Sequence, residues 1–212
     1  MWYNHYRLKG KGGEGIIRAE QNKYHNTIVA IAASTGGPKI LSDIISRLQK
    51  DLPFPVLVVQ HMPEKFTQIL AKRLSEKSEI SVKEAHNGMQ VLPGNVYVAQ
   101  AGKHMQIRPC GDVHLISLTD EDYREGVKPC ANYMFESLAD CNYEDIYCIV
   151  LTGMGSDGTE GIEYLSTHKK IHIWIQEKES CVVYGMPGSI TKTELEYETL
   201  SVEEIVNKIK NI

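Results

Sequence analysis

The segment Thr27-Ile-Val-Ala-Ile-Ala-Ala-Ser-Thr-Gly-Gly-Pro38 decides the fold of this chain. Its apolar first half predicts a strand that is buried on both faces, which is the situation of a strand in a parallel sheet. Pro38 suits the first position of a helix, because its φ angle is already close to the helical value. The segment therefore predicts a strand, a turn that carries Ser34, and a helix.

Strands and helices continue to alternate after this segment. Strands are predicted at residues 27–33, 55–60, 80–83, 146–151 and 171–175. Helices are predicted at residues 38–50, 63–76, 129–141 and 157–168, with two more at the end of the chain. Short alternating runs at residues 95–99, 105–108 and 113–117 predict an antiparallel meander. The predicted fold class is α/β, with a doubly wound, mainly parallel sheet and an antiparallel meander at one edge.

The composition of the 212 residues is that of one globular domain, with 42% hydrophobic residues and a net charge of −4. No basic surface for nucleic acid is predicted from this charge. The five cysteines contain no C-x-x-C pair, which predicts reduced thiols rather than a disulfide framework or a zinc site. No signal peptide or membrane-spanning segment is evident, so a cytoplasmic location without membrane insertion is predicted. Residues 1–26 carry a glycine cluster and are predicted to be a flexible leader, with the folded domain over residues 27–212.

Three polar residues follow predicted strands, at the sheet edge where doubly wound proteins bind ligands. Ser34 follows strand 27–33, His61 follows strand 55–60, and Asp157 lies in the loop after strand 146–151. If these strands are neighbours, a hydroxyl, an imidazole and a carboxylate converge. Ser34 is then the predicted nucleophile, His61 its base, and Asp157 the residue that orients the imidazole.

The glycines beside these residues predict a site for developing negative charge. Gly36 and Gly37 remove Cβ atoms where a substrate must approach the backbone, and the helix start supplies unpaired amides. The backbone amides of Thr35 and Met154 are therefore predicted to form an oxyanion hole.

Each side chain also has a purely structural interpretation. Ser34 and Asp157 are residue types that often cap helices, and His61 would be an ordinary polar residue at a helix entrance. Ser34 lies outside the G-x-S-x-G motif, because Ala32 stands where that motif needs its first glycine. No metal site is predicted at His168 and His172, because the pattern changes from helical to alternating between them.

A dinucleotide-binding loop competes for the same residues. Gly153, Gly155 and Gly158 match G-x-G-x-x-G between a strand and a helix, and Glu177 or Glu179 supplies the acidic residue that should follow. Against this alternative, Asp157 would place a carboxylate beside the pyrophosphate, where like charges repel. The residue pattern alone leaves both hypotheses open.

Several segments together resemble the catalytic domain of the bacterial chemotaxis protein-glutamate methylesterases, a family that also deamidates receptor glutamines. The segments follow one another in the family's order and span nearly the whole chain from residue 27: residues 33–37, 60–63, 92–99, 102–105, 151–158 and 180–187. The resemblance implies hydrolysis of glutamate γ-methyl esters on the cytoplasmic helices of transmembrane chemoreceptors, with release of methanol. Neither this reaction nor the deamidation requires a cofactor or a metal.

The resemblance also implies roles for individual residues. It makes Ser34 the nucleophile, His61 the base and Asp157 the third member of the triad. Met154 contributes a backbone amide to the oxyanion site. Thr35 and the loop at residues 180–187, which includes Met186, border the substrate.

Three features depart from the family pattern. The 26-residue leader is too short for the receiver domain that usually precedes this domain, so phosphorylation control within the chain is not expected. Lys128-Pro-Cys-Ala-Asn132 stands where the family commonly has Arg-Pro-Ser-Val-Asp, and lysine cannot reproduce the planar fork of arginine. Ala32 replaces a usual glycine, which is tolerable unless the backbone needs a positive φ. A catalytically silent domain that docks on receptors is therefore a second hypothesis.

Overall fold

The computed structural model describes residues 26–212, so the predicted leader lies outside it except for Asn26. Nine strands and six α-helices follow one another in this part of the chain. The strands are β1 (Thr27–Ala33), β2 (Val56–Gln60), β3 (Ser81–Glu84), β4 (Asn95–Val98), β5 (His104–Cys110), β6 (Val113–Thr119), β7 (Asp145–Val150), β8 (Ile171–Gln176) and β9 (Glu198–Leu200). The helices are α1 (Gly37–Ile45), α2 (Phe66–Lys77), α3 (Ala131–Ser137), α4 (Thr159–Ser166), α5 (Gly185–Ile190) and α6 (Val202–Lys210). None of these helices within residues 26–212 is both long and apolar enough to cross a membrane.

Seven strands form one parallel sheet in the order β3-β4-β2-β1-β7-β8-β9, which confirms the predicted doubly wound class. Strand β1 lies at the centre of the sheet, where β2 pairs with one of its edges and β7 with the other. Ala33 at the end of β1 is opposite Gln60 at the end of β2, and Ala32 is opposite Val150 at the end of β7. The carboxyl ends of the three central strands therefore meet at the point where the strand order reverses, which is where such sheets bind ligands.

Both faces of the sheet are covered, which explains why every residue of β1 is apolar except the first. Alternate β1 residues enter two separate cores: Ile28, Ala30 and Ala32 in one, and Val29, Ile31 and Ala33 in the other. Helices α3, α4 and α5 complete the first core, and α1, α2 and α6 complete the second. A strand with two buried faces needs apolar side chains on both, as the opening segment predicts.

The antiparallel part of the fold differs in detail from the predicted edge meander. Strands β5 and β6 pair with each other as a separate two-stranded sheet. The run at residues 95–99 instead forms β4, which lies between β2 and β3 in the parallel sheet. Its alternation is misleading because Tyr97 is fully buried, with its hydroxyl donating to the Gln90 carbonyl at 2.8 Å and accepting from the Leu92 amide at 3.0 Å.

Helix ends and the last strand were the least predictable elements. The predicted helix at residues 129–141 divides into α3 and a short 3₁₀ turn, Leu138–Asp140. The predicted helix at residues 38–50 ends at Ile45. Strand β9 was not predicted, because three residues are too short to show a period.

Candidate active site

Ser34 lies directly after β1, with its backbone tied to two neighbouring strands. Its amide donates to the Thr152 carbonyl at 3.0 Å, and its carbonyl accepts from Gln60 Nε2 at 2.9 Å. The N-cap of α1 is Gly36, and within residues 26–212 no side chain caps this helix. The capping interpretation of Ser34 is therefore wrong, and its hydroxyl has no hydrogen-bond partner in the described part of the chain.

His61 and Asp157 form a direct pair, as the triad hypothesis predicts. His61 Nε2 lies 2.7 Å from Asp157 Oδ2, and the two side chains are only 11% and 3% exposed. His61 is also held beside β1, because its amide donates to the Ala33 carbonyl at 3.1 Å. Since Nε2 is engaged by Asp157, Nδ1 is the ring nitrogen left for the Ser34 hydroxyl. Within residues 26–212 the structure joins His61 to Asp157 but records no hydrogen bond between His61 and Ser34 Oγ.

Asp157 accepts three hydrogen bonds from the start of α3, in addition to the one from His61. The amides of Ala131 and Asn132 donate to it at 2.6 and 3.1 Å, and the Cys130 thiol donates at 2.9 Å. Burial by itself would raise the pKa of Asp157, but the hydrogen bonds from His61, the Ala131 amide and Cys130 outweigh it and lower the pKa below its ordinary value. The carboxylate is therefore ionised and ready to stabilise an imidazolium.

Asp157 is not the N-cap of its own helix, since that position belongs to Gly158. It accepts hydrogen bonds from the first amides of a different helix, α3. The sequence pattern around residue 157 could not reveal this contact, because α3 begins 26 residues earlier in the chain.

The glycines of the opening segment are explained by packing within the protein. A Cβ at Gly37 would overlap with Gln60 Oε1, and one at Gly36 would lie 2.6 Å from Val182 Cγ2. Gly36 also has a φ of 86°, which favours glycine. The space that was predicted for substrate beside these two residues is thus partly filled by Gln60 and Val182, and their contact with substrate stays a prediction.

The other predicted substrate and oxyanion residues fall into two groups. Met186 is fully buried, and its side chain packs against Gly153. Its contact with substrate stays a prediction. Met154 is 69% exposed, and Val182 in the loop at residues 180–187 is 67% exposed. Among residues 26–212, neither the Thr35 amide nor the Met154 amide donates a hydrogen bond to another protein atom. Both amides are therefore free for the oxyanion role, which stays a prediction.

The start of α4, which follows the G-x-G-x-x-G match, does not offer its amides to a pyrophosphate. The amides of Gly158 and Gly161 both donate to Asn132 Oδ1, at 3.0 and 2.7 Å. A Cβ at Gly161 would lie 2.6 Å from the Asn132 carbonyl oxygen, so α3 occupies the space in front of α4. The dinucleotide alternative is wrong, because another part of the protein already fills the site that it requires.

Three buried polar residues, which the sequence analysis did not propose as functional, connect the ends of neighbouring strands by hydrogen bonds. Gln60 Nε2 donates to the carbonyls of both Ser34 and His61. Thr152 Oγ1 donates to the Thr35 carbonyl at 2.9 Å and accepts from the Val182 amide at 3.0 Å. Gln176 accepts from the Thr152 amide at 2.9 Å. Each of them follows an apolar run at the end of a strand, which is the signal that could have identified them.

The departures at residues 128–132 and 32 have clear structural outcomes. Lys128 pairs with Asp120 at 2.8 Å. Asn132 is fully buried, where it caps α4 and donates to Glu125. Ala32 lies within β1 without a positive φ, so the alanine is accommodated there as predicted.

Gly153 lies between Ser34 and Met186, and we expect Gly153→Ala to damage the site. The new Cβ would overlap with Met186 Sδ and lie 2.8 Å from Ser34 Cβ. Overpacking of this kind costs about 1–3 kcal/mol, and its relief requires Ser34 or Met186 to move. Urea unfolding and an esterase assay should show lower stability and a lower kcat.

Gly111→Ala is the control for Gly153→Ala, because Gly111 has a positive φ but open space around it in the β5–β6 hairpin. It carries only the strain of the left-handed backbone, about 1–2 kcal/mol, and should keep the wild-type kcat. Equal kcat values for the two variants would show that close packing at Gly153 does not position Ser34.

Known proteins are similar to this chain in sequence and in fold. The sequence model of the CheB methylesterase family matches residues 29–209. A protein-glutamate methylesterase/protein-glutamine glutaminase of Halalkalibacterium halodurans is 41% identical over 186 residues, which are 88% of this chain and 54% of that protein. The protein of the same name from Bacillus subtilis is 42% identical over 86% of this chain and 51% of its own length.

The chain thus spans about half the length of these curated relatives. The crystal structure of the Thermotoga maritima CheB methylesterase catalytic domain is 37% identical and superposes with a TM-score of 0.82, over 87% of this chain and 97% of that one. Family model, relatives and solved structure all cover the segment that carries Ser34, His61 and Asp157. The chain belongs to the CheB methylesterase family.

Proposed function

We propose that this domain hydrolyses glutamate γ-methyl esters on chemoreceptors through a serine acyl-enzyme. The observation that carries the proposal is the buried pair of His61 and Asp157, 2.7 Å apart, which follow the two strands that flank β1 and its Ser34. The family and the names of the relatives, protein-glutamate methylesterase/protein-glutamine glutaminase, support this substrate. The cytoplasmic helices of transmembrane chemoreceptors are the proposed partner, and the cytoplasm is the proposed location.

The proposed reaction proceeds in two halves that use the same residues. His61 takes the proton of Ser34 Oγ as the oxygen attacks the ester carbonyl, and Asp157 stabilises the resulting imidazolium. The amides of Thr35 and Met154 stabilise the oxyanion. His61 then protonates the departing methoxide, and methanol leaves. Water, deprotonated by His61, attacks the acyl-enzyme and regenerates Ser34 and a glutamate carboxylate.

A glutamine side chain at the same site would follow the same steps. The leaving group is then an amine, which His61 protonates so that ammonia departs. We therefore propose receptor glutamine deamidation as a second reaction of the domain. No step in either sequence requires a metal or a cofactor.

The decisive experiment incubates the protein with receptor membranes that carry labelled methyl esters. We expect methanol release that depends on protein concentration, together with covalent labelling by a fluorophosphonate probe. The probe should fail on His61→Ala, because Ser34 then lacks its base. Mass spectrometry of receptor peptides would report conversion of glutamine to glutamate.

This design separates the enzyme from the catalytically silent domain. Association with receptor membranes without methanol release or probe labelling would favour the silent domain and reject the proposed reaction. Probe labelling without methanol release would retain the serine hydrolase but reject the methylated receptor as its substrate.

A further inference from the structure

We propose that Cys130 is a positioning residue for this reaction. Its thiol, together with the start of α3 that follows it, holds the Asp157 carboxylate in place against His61. The inference rests on the proposed function, because it assigns a role within that reaction. No sequence pattern pointed to this cysteine as a functional group.

The hydrogen bonds of Asp157 divide evenly between its two oxygens. Oδ2 accepts from His61 Nε2 at 2.7 Å and from the Ala131 amide at 2.6 Å. Oδ1 accepts from the Cys130 thiol at 2.9 Å and from the Asn132 amide at 3.1 Å. Rotation of the carboxylate toward any other arrangement would break one of these bonds. Two of the four donors are side chains, those of His61 and Cys130, and the other two are backbone amides.

The Cys130 thiol is suited to donate rather than to react. Its side chain is fully buried. Burial and the nearby Asp157 charge raise the pKa of the Cys130 thiol far above its ordinary value. It therefore keeps its proton at neutral pH, and a protonated thiol is a weak hydrogen-bond donor.

A buried histidine fixes the backbone of Cys130 from the other side. His104 Nδ1 accepts from the Cys130 amide at 3.1 Å, so the ring proton must lie on Nε2. Nε2 donates to the Asp122 carbonyl at 3.0 Å, and the ring lies 4.5 Å from that of Tyr133 on α3. Both ring nitrogens of His104 are thus engaged, and the start of α3 has a fixed place in front of Asp157.

Two substitutions at Cys130 separate positioning from packing. Cys130→Ala removes the donor and leaves the two amides on Asp157. We expect kcat to fall about fivefold to tenfold, with little change in KM. Cys130→Ser keeps a donor, and a stronger one, so kcat should stay within about twofold of wild type.

The pH profile gives a readout that packing alone would not move. Without the thiol, more of the negative charge of Asp157 is available to stabilise the His61 imidazolium. His61 acts as a base only when it is neutral, so kcat/KM rises with pH. This rise should shift to higher pH in Cys130→Ala, and to lower pH in Cys130→Ser. Other ionisable groups near this pair are Glu64, Tyr123 and Lys128 in the cleft beside His61, His104 at the Cys130 amide, and Glu125, which contacts Asn132 and Ser156. The variants leave all of them unchanged.

Cys141→Ala is the matched control, since Cys141 is also a buried thiol but lies near the carbonyls of Ile107 and Ser137. It should match wild type in both kcat and pH profile. Wild-type kcat and pH profile in Cys130→Ala would overturn the inference, even if the variant were less stable. If Cys130→Ala does not fold, an unshifted profile in Cys130→Ser overturns it. An inactive wild-type protein would instead reject the proposed function.

Discussion

Ser34→Ala is expected to remove nearly all methyl ester hydrolysis, with a loss in kcat of at least about 10³-fold. The substitution deletes the hydroxyl that attacks the ester carbonyl. It leaves the backbone contacts of Ser34 with Thr152 and Gln60 intact, because these use only main-chain atoms of residue 34. The fold should therefore persist, and methanol release from receptor membranes measured beside a thermal melt checks both statements.

Ser42→Ala is a suitable control for Ser34→Ala, because Ser42 lies on α1 and lines a groove toward α2. It should release methanol at the wild-type rate. Retention of more than about a tenth of wild-type activity by Ser34→Ala would exclude Ser34 as the nucleophile, since an activated nucleophile supplies a far larger factor than this.

Asp157→Asn is expected to cause the next largest loss, about 10³- to 10⁴-fold in kcat. The amide group of asparagine must point its NH₂ at one of the groups that now donate to the carboxylate. It also removes the charge that stabilises the imidazolium. Because buried donors lose their acceptor, the free energy of unfolding should fall by about 2–3 kcal/mol as well. Steady-state kinetics and urea unfolding measure the two effects.

The pH dependence of stability tests whether the loss of unfolding free energy in Asp157→Asn comes from the charge of Asp157. The pKa of Asp157 is lowered in the folded protein, so its contribution is present above the ordinary carboxyl pKa of 3.8 and is lost as pH falls below it. The stability difference between wild type and Asp157→Asn should therefore narrow below about pH 4. Asp51→Asn, at an exposed position between α1 and β2, should show no such narrowing. A constant difference from pH 7 to pH 3 would contradict an ionised, hydrogen-bonded Asp157.

Much of this fold was predictable because burial leaves a simple pattern. A strand with two covered faces must be apolar almost throughout, and Thr27–Ala33 is. Strand ends were predictable for the same reason, since Ser34 and His61 interrupt apolar runs. The place of β4 in the parallel sheet was not predictable in this way. Its buried Tyr97 makes the strand look half-exposed, and the loop that binds the Tyr97 hydroxyl leaves no local pattern.

The sequence by itself determined which side chains stand at the ends of the central strands, and therefore the candidates for nucleophile, base and orienting acid. Only the tertiary structure decided how they are held. Asp157 is anchored by Cys130, Ala131 and Asn132, and the first amides of α4 bind Asn132 instead of a nucleotide. The physical reason is that strand ends follow from local burial periodicity, whereas these hydrogen bonds join segments about 26 residues apart whose meeting depends on the packing of α3 against α4.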